Sequence, residues 1–195
     1  MNLARLFPGC LKAFSRATDW PQYFDLSEKG FRGSFWALIL SMPVLYVGYA
    51  AIVKQRQTLL ASQPELVDTL PTLVSPPMMF LLLIIYFMMF PICAYILCLV
   101  FDKMDRFRAW VIVRLWTFFF IYLGTGLLLG LNLLGVLSFS FVMVPVFILY
   151  MGTLVVDIRY AQKIAGFEWG AAILAACIFS AMGLTVMLTG SAALA

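Results

Sequence analysis

Five apolar stretches, each about as long as the hydrocarbon layer of a bilayer is thick, set the limits on what this chain can fold into. They cover residues 31–53, 77–101, 109–131, 137–156 and 169–190, and each holds 20 to 25 residues. At about 1.5 Å of rise per residue such a helix matches a hydrocarbon core of roughly 30 Å. Within lipid every backbone N–H and C=O has to find a partner inside the protein, so each stretch predicts a helix. The expected fold is therefore all-α: a polytopic transmembrane bundle of five spans. Residues 1–30 form a cytoplasmic or interfacial N-terminal segment, residues 31–190 the membrane domain, and residues 191–195 a short outer tail.

Composition agrees with this reading. Of 195 residues 64% are apolar and 11% charged, and the mean hydropathy is +1.02. A soluble domain carries about 45–50% apolar and about 25% charged residues. A water-soluble fold of this length has no means of hiding the surplus, which has to face lipid.

Spans three and four are separated only by an uncharged link around Asn132 to Gly135. A continuous helix there would overshoot the bilayer about twofold, so the link predicts a hairpin with Asn132 and Gly135 at its turn. Orientation follows from the cations, which collect in cytoplasmic loops. With the N-terminus inside, eleven of the thirteen basic residues are cytoplasmic, and only Lys54 and Arg56 are not. That places the C-terminus outside. Minimal loops point to a bacterial cytoplasmic (inner) membrane.

The N-terminal thirty residues have basic groups but no apolar region of a secretory signal after them. Pro8 to Ala17 predicts a short helix with Pro8 at its first position. Phe7, Cys10, Leu11 and Phe14 would share a face opposite Lys12, Ser15 and Arg16, as in a helix lying among headgroups; the alternative is a disordered basic leader. Asp25 followed by Glu28 predicts a capped start of the first membrane helix near Leu26. The link from Lys54 to Pro76 has room for a short amphipathic segment around Pro64 to Leu70.

Several chemistries lack their residues. The chain has no histidine, which removes histidine-ligated haem, the usual zinc and copper sites and histidine base catalysis. Cys10, Cys93, Cys98 and Cys177 have no redox or zinc spacing and read as buried free thiols. No catalytic residue, metal site or cofactor is expected. The net charge of +4 comes from residues at the ends of apolar runs, not from a basic patch, so nucleic acid is not an expected partner. The expected partner is the lipid bilayer itself.

Arg114 is the residue most in need of an explanation. It stands six residues beyond Arg108 within span three, on the order of 9 Å into the helix. An Arg at the bilayer centre costs roughly 2.5–3.5 kcal/mol on insertion scales. Three readings account for it: an anion or lipid-phosphate site shared with Asp157 and Arg159, an ion pair with Asp157 at the same end of span four, or a snorkelling anchor between Trp110 and Trp116. The alternating charges of residues 102–108 read as a solvated turn or as a docking surface for a cytoplasmic partner. Pro43, Pro91 and Pro145 lie within spans and predict kinks. No Asp, Glu or Lys is expected deep within a span, which weakens any case for proton or cation coupling.

Small residues mark expected helix contacts. Gly126 and Gly130 are spaced four apart in span three, and span five carries Ala171, Ala172, Ala175, Ala176, Ser180 and Gly183. Such faces let membrane helices approach closely, either within the chain or against other membrane subunits through Gly126/Gly130 or Ala172/Ala176.

The arrangement resembles the Yip-domain family of small membrane proteins, which have a cytoplasmic N-terminal segment, five clustered spans and a very short outer tail. The likeness covers residues 24 to 190, with the sequence from Phe107 to Arg114 leading into span three after a tight cytoplasmic loop, as in that family. The family's Asp-Leu-Tyr-Gly-Pro type of cytoplasmic motif is absent, so the resemblance implies topology and no role with trafficking GTPases. The segment from Phe24 to Trp36 is similar to the start of other small bacterial membrane families. The functional expectation is a non-enzymatic scaffold or accessory subunit of a membrane assembly. Its alternative is a small transporter or lipid-handling protein using a site near Arg114.

Overall fold

The computed structural model describes residues 3–66 and 75–192. Among them the chain is helical, without strands, and it runs through α1 (Leu3–Phe14), α2 (Glu28–Ser34), α3 (Trp36–Ser62), α4 (Pro76–Val100), α5 (Met104–Leu133), α6 (Phe139–Lys163) and α7 (Trp169–Ala192). Among the described residues four helical stretches are long and apolar enough to cross a membrane: Glu28–Ser62, Pro76–Val100, Met104–Leu133 and Phe139–Lys163. The protein has the build of a helical membrane protein.

The helices overrun the apolar runs at several ends. The expected first helix starts instead at Glu28, with Ser27 as its cap: the Ser27 hydroxyl accepts from the Gly30 N–H at 3.3 Å, and Asp25 accepts from the Ser27 N–H at 3.0 Å. Asp25 thus shapes the turn before the cap and does not cap the helix itself. The helix breaks at Phe35 between α2 and α3. Of the amphipathic segment expected at Pro64 to Leu70, Pro64–Leu66 form one tight 3-10 turn and the rest lies outside the described residues. The outer-tail expectation also falls largely outside them.

The hairpin between α5 and α6 closes where the sequence predicts. Gly135 adopts φ +77, a left-handed conformation that costs a residue without a Cβ little. Its N–H donates to Asn132 O at 3.0 Å, and the Val136 N–H donates to Leu131 O at 3.0 Å. This pair of bonds is the Schellman ending of a helix. Asn132 Nδ2 then reaches Leu137 O at 3.0 Å. Lys54, one of the two cations outside the expected cytoplasmic set, donates to Leu133 O at 3.0 Å, so it caps the C-terminal carbonyls of α5.

Helix α5 is the axis of the bundle. Every residue from Trp110 to Phe119 is buried, since α1, α2, α3, α4 and α6 all pack on it. Helix α7 lies against α4 and α6. Helix α6 instead turns an apolar stripe outwards through Phe141, Val144, Ile148, Met151 and Val155, at the spacing of one helix face. The three kink-forming prolines lie within α3, α4 and α6 without ending them.

The small-residue faces are covered within the chain. A Cβ on Gly126 would stand 2.2 Å from Val44 Cγ1, and one on Gly130 would meet Val47 Cγ1 at 3.8 Å. This face therefore receives α3. Ala172, Ala175 and Ala176 are fully buried; the side-chain surroundings of Gly183 lie outside the described residues. Gly126→Ala should cost about 1–3 kcal/mol through overpacking against a stiff valine. In detergent unfolding, Gly126→Ala combined with Val44→Ala should be more stable than the two single losses added together. Simple additivity would show that the two residues do not meet.

Candidate functional site

The antiparallel hairpin sets α5 and α6 side by side, and two residues nearly equidistant from Gly135 then face each other. Arg114 stands twenty-one residues before that glycine and Asp157 twenty-two after it. Arg114 Nε donates to Asp157 Oδ1 at 2.5 Å and Nη2 donates to Oδ2 at 2.9 Å. Both side chains are only 4% exposed. The contact is the two-pronged guanidinium–carboxylate fork, the strongest form of this interaction.

Three aromatic rings surround the guanidinium. Its central carbon lies 3.7 Å from the Phe90 centroid, 4.1 Å from that of Phe118 and 5.0 Å from that of Phe179. Rings at this distance attract a cation through their quadrupoles, by about 2 kcal/mol or more when water is excluded. Trp110, one helical turn before Arg114, extends the cage through edge contacts to Phe90, Phe167 and Phe179 at 5.3–5.7 Å. The cage thus draws on α4, α5 and α7 around a pair made by α5 and α6.

This geometry changes two expectations. Asp157 lies inside a helix that continues to Lys163 and is buried, so it does not end the fourth helix but sits within its last two turns, covered by protein. The apolar run ends at Val156, which hid the continuation: the last turns of α6 are polar in sequence yet packed in the fold. Arg114 points into the bundle and not to the headgroups between Trp110 and Trp116. Arg159 is not brought to the pair. Its Nε donates to Phe14 O at 3.3 Å.

One turn away lies a second polar layer that sequence reasoning missed. Tyr160 leans back toward the start of α6, as long helical side chains do, and its hydroxyl meets Thr117 Oγ1 at 2.8 Å. Thr117 Oγ1 also lies 2.9 Å from Val113 O, and the Tyr160 hydroxyl lies 3.1 Å from Cys10 O in α1. Two hydroxyl protons serve these three contacts, so one of them lacks a proton at any instant.

Helix α1 is held on this layer. Leu6, Gly9, Cys10 and Ala13 are its buried residues, whereas Phe7, Leu11 and Phe14 point outwards. The expected face is therefore split: Cys10 turns in, and its apolar neighbours turn out. Lys163 Nζ donates to Lys12 O at 2.9 Å and to Ser15 O and Ala17 O, both at 2.6 Å. All three ammonium protons cap the C-terminal end of α1, where the helix dipole is negative. Lys12 pairs with Asp19, and that hydrogen bond holds the Asp19 carboxyl below its usual value. Burial pushes the Cys10 thiol up to about 12, so it stays neutral and unreactive.

No family model, curated protein or solved structure matches this chain.

Two outcomes follow from this geometry. Replacing Arg114 by Met or Asp157 by Leu alone should cost about 3–5 kcal/mol, because each leaves an unpaired buried charge, whereas the double replacement should come back near the parent stability. Denaturant titration in detergent measures this, and equal, additive losses would rule out the pair. Lys163→Met should loosen α1 and raise the rate of maleimide labelling at Cys10 by about tenfold, an opening cost lowered by about 1.4 kcal/mol, with the global unfolding midpoint little changed. An unaltered rate would mean that Lys163 does not hold α1.

Proposed function

We propose that this protein is a non-enzymatic scaffold or accessory subunit of a membrane assembly, with five spans, its N-terminus in the cytoplasm and its C-terminus outside. One observation carries the reading: Arg114 and Asp157 close on each other inside three phenylalanine rings. The fork uses both oxygens of the carboxylate and one edge of the guanidinium, and rings cover the cation's faces. A pair enclosed in this way fastens α5 to α6. A transporter or lipid-handling site would need the same cation open to a ligand.

The remaining features support the same reading. Helix α7, 24 residues long and apolar, supplies the fifth span. Lys163, Arg159 and the Arg114–Asp157 pair gather in the half of the bundle along which α1 lies, as expected of the cytoplasmic side. Five spans with a cytoplasmic N-terminal segment is also what the resemblance to Yip-domain proteins implies. The outward stripe of α6 offers an apolar surface to lipid or to a neighbouring membrane helix. We place the protein in a bacterial cytoplasmic membrane on the strength of its minimal loops.

A C-terminal tag tests placement and role together. In intact cells the tag should be reachable from outside, and crosslinking before gentle extraction on the same tag should recover the same partner repeatedly. A tag reachable only after the cells are opened would overturn the orientation. A strictly monomeric protein without a reproducible partner would overturn the scaffold role.

A further inference from the structure

At the bundle end where α4 finishes and α5 begins, the junction leaves a groove of about 560 Å³. Its floor is apolar and aromatic, made of Phe31 from α2, Tyr95 from α4 and Met104 and Phe107 from α5. The rings are braced against each other: Phe107 lies 5.7 Å from Phe31 and 5.6 Å from Tyr95 between centroids. The rim carries Glu28, Arg32, Asp105 and Arg108.

The rim charges are not equivalent. Glu28 is paired with Arg32 one turn on. Asp105 is paired with Arg106 at 3.0 Å, a residue that does not line the groove. Arg108 is exposed and has no anionic partner among the described residues. The groove therefore presents one uncompensated positive charge above an aromatic floor, at the ends of membrane-length helices.

We infer that this groove binds a membrane phospholipid, with its phosphodiester on Arg108 and its glycerol and upper acyl carbons over Phe31, Tyr95 and Phe107. A phosphodiester carries a single negative charge, which matches the single free cation. Its oxygens also suit the planar fork of a guanidinium. Headgroups and the first acyl carbons meet at the depth where helix ends and interfacial tyrosines lie. The alternating charges of residues 102–108 thereby acquire a role beyond topology: Asp105 is neutralised to one side, which leaves Arg108 to the lipid. The assignment rests on membrane insertion and not on the scaffold role, so the two succeed or fail separately.

The test is native mass spectrometry of the full chain released from detergent with added phosphatidylglycerol. The parent protein should retain lipid adducts, and Arg108→Gln should weaken retention about tenfold, the effect of losing one charge-assisted contact. Phe107→Ala should weaken it as well, and Arg16→Gln, a change on the N-terminal segment, should not. Unfolding midpoints in lipid-free detergent confirm that each variant is folded; should Arg108→Gln unfold, Arg108→Lys takes its place, with a smaller loss expected. Glycerophosphoglycerol, the headgroup without chains, should not displace the lipid. Equal retention by Arg108→Gln and Arg16→Gln would overturn the site. Displacement by the free headgroup would reassign it to soluble phosphodiesters and overturn the lipid.

Discussion

A charge buried among apolar side chains needs its counter-charge within the same protein, and in this chain that requirement ties the central helix to its neighbour. Arg114 is buried among Phe90, Phe118 and Phe179 and has Asp157 on its open edge. The register of the α5–α6 hairpin follows, because sliding either helix by one residue would separate the fork. The desolvation of a buried pair commonly cancels its attraction, so the pair contributes specificity of register more than stability. The rings matter for the same reason: they give the cation electron-rich faces where water would otherwise be needed.

Helix ends elsewhere follow a related rule. Membrane helices terminate in carbonyls that lack intrahelical partners, and here lysines from other helices supply them. Lys54 of α3 covers the end of α5 and Lys163 of α6 covers the end of α1. A cation that loop-charge counting expects to set topology is thus also one that caps a helix. Lys54 illustrates the point: counted by loop charge it is an exception on the outer side, whereas in the fold its ammonium is held by the hairpin it helps to close.

Much of the fold was legible because hydrophobic length is a coarse signal that survives local detail. Four of the five apolar runs fall on helices long and apolar enough to cross a membrane among the described residues, and Gly135 marked the hairpin. Ends were less legible. The run preceding Asp157 stops at Val156, and hydropathy has no means of knowing that Tyr160 reaches α1 and that Ala161 is buried. Gly126 announced a close contact, but its occupant, Val44, is a long-range neighbour that a periodic pattern leaves unnamed. Of the candidate site, the meeting of Arg114 with Asp157 was available from hairpin symmetry. The three phenylalanines around them were not, because α4 and α7 are placed by packing and not by spacing. Arg159 fell within the right few residues of α6 and on another face, where it serves α1.

The split of the N-terminal helix shows why amphipathic patterns in membrane proteins require a second apolar environment. In water one apolar face implies one buried face. Next to lipid, a helix can be apolar on two sides, one facing protein and one facing acyl chains, and the polar residues are left for its ends. Helix α1 has two such sides: Leu6, Gly9, Cys10 and Ala13 are buried, Phe7, Leu11 and Phe14 are exposed, and Phe7 still reaches Phe120 at 5.1 Å. Phe120 is sixteen residues into α5, on the order of 24 Å from its start, so α1 lies along the flank of the bundle and does not sit on its end. Its small residue Gly9 lets the following segment fold back against it, since a Cβ there would stand 2.5 Å from Tyr23 Cβ. An apolar stripe on such a segment is therefore evidence of lipid only after the protein-facing stripe beside it has been accounted for.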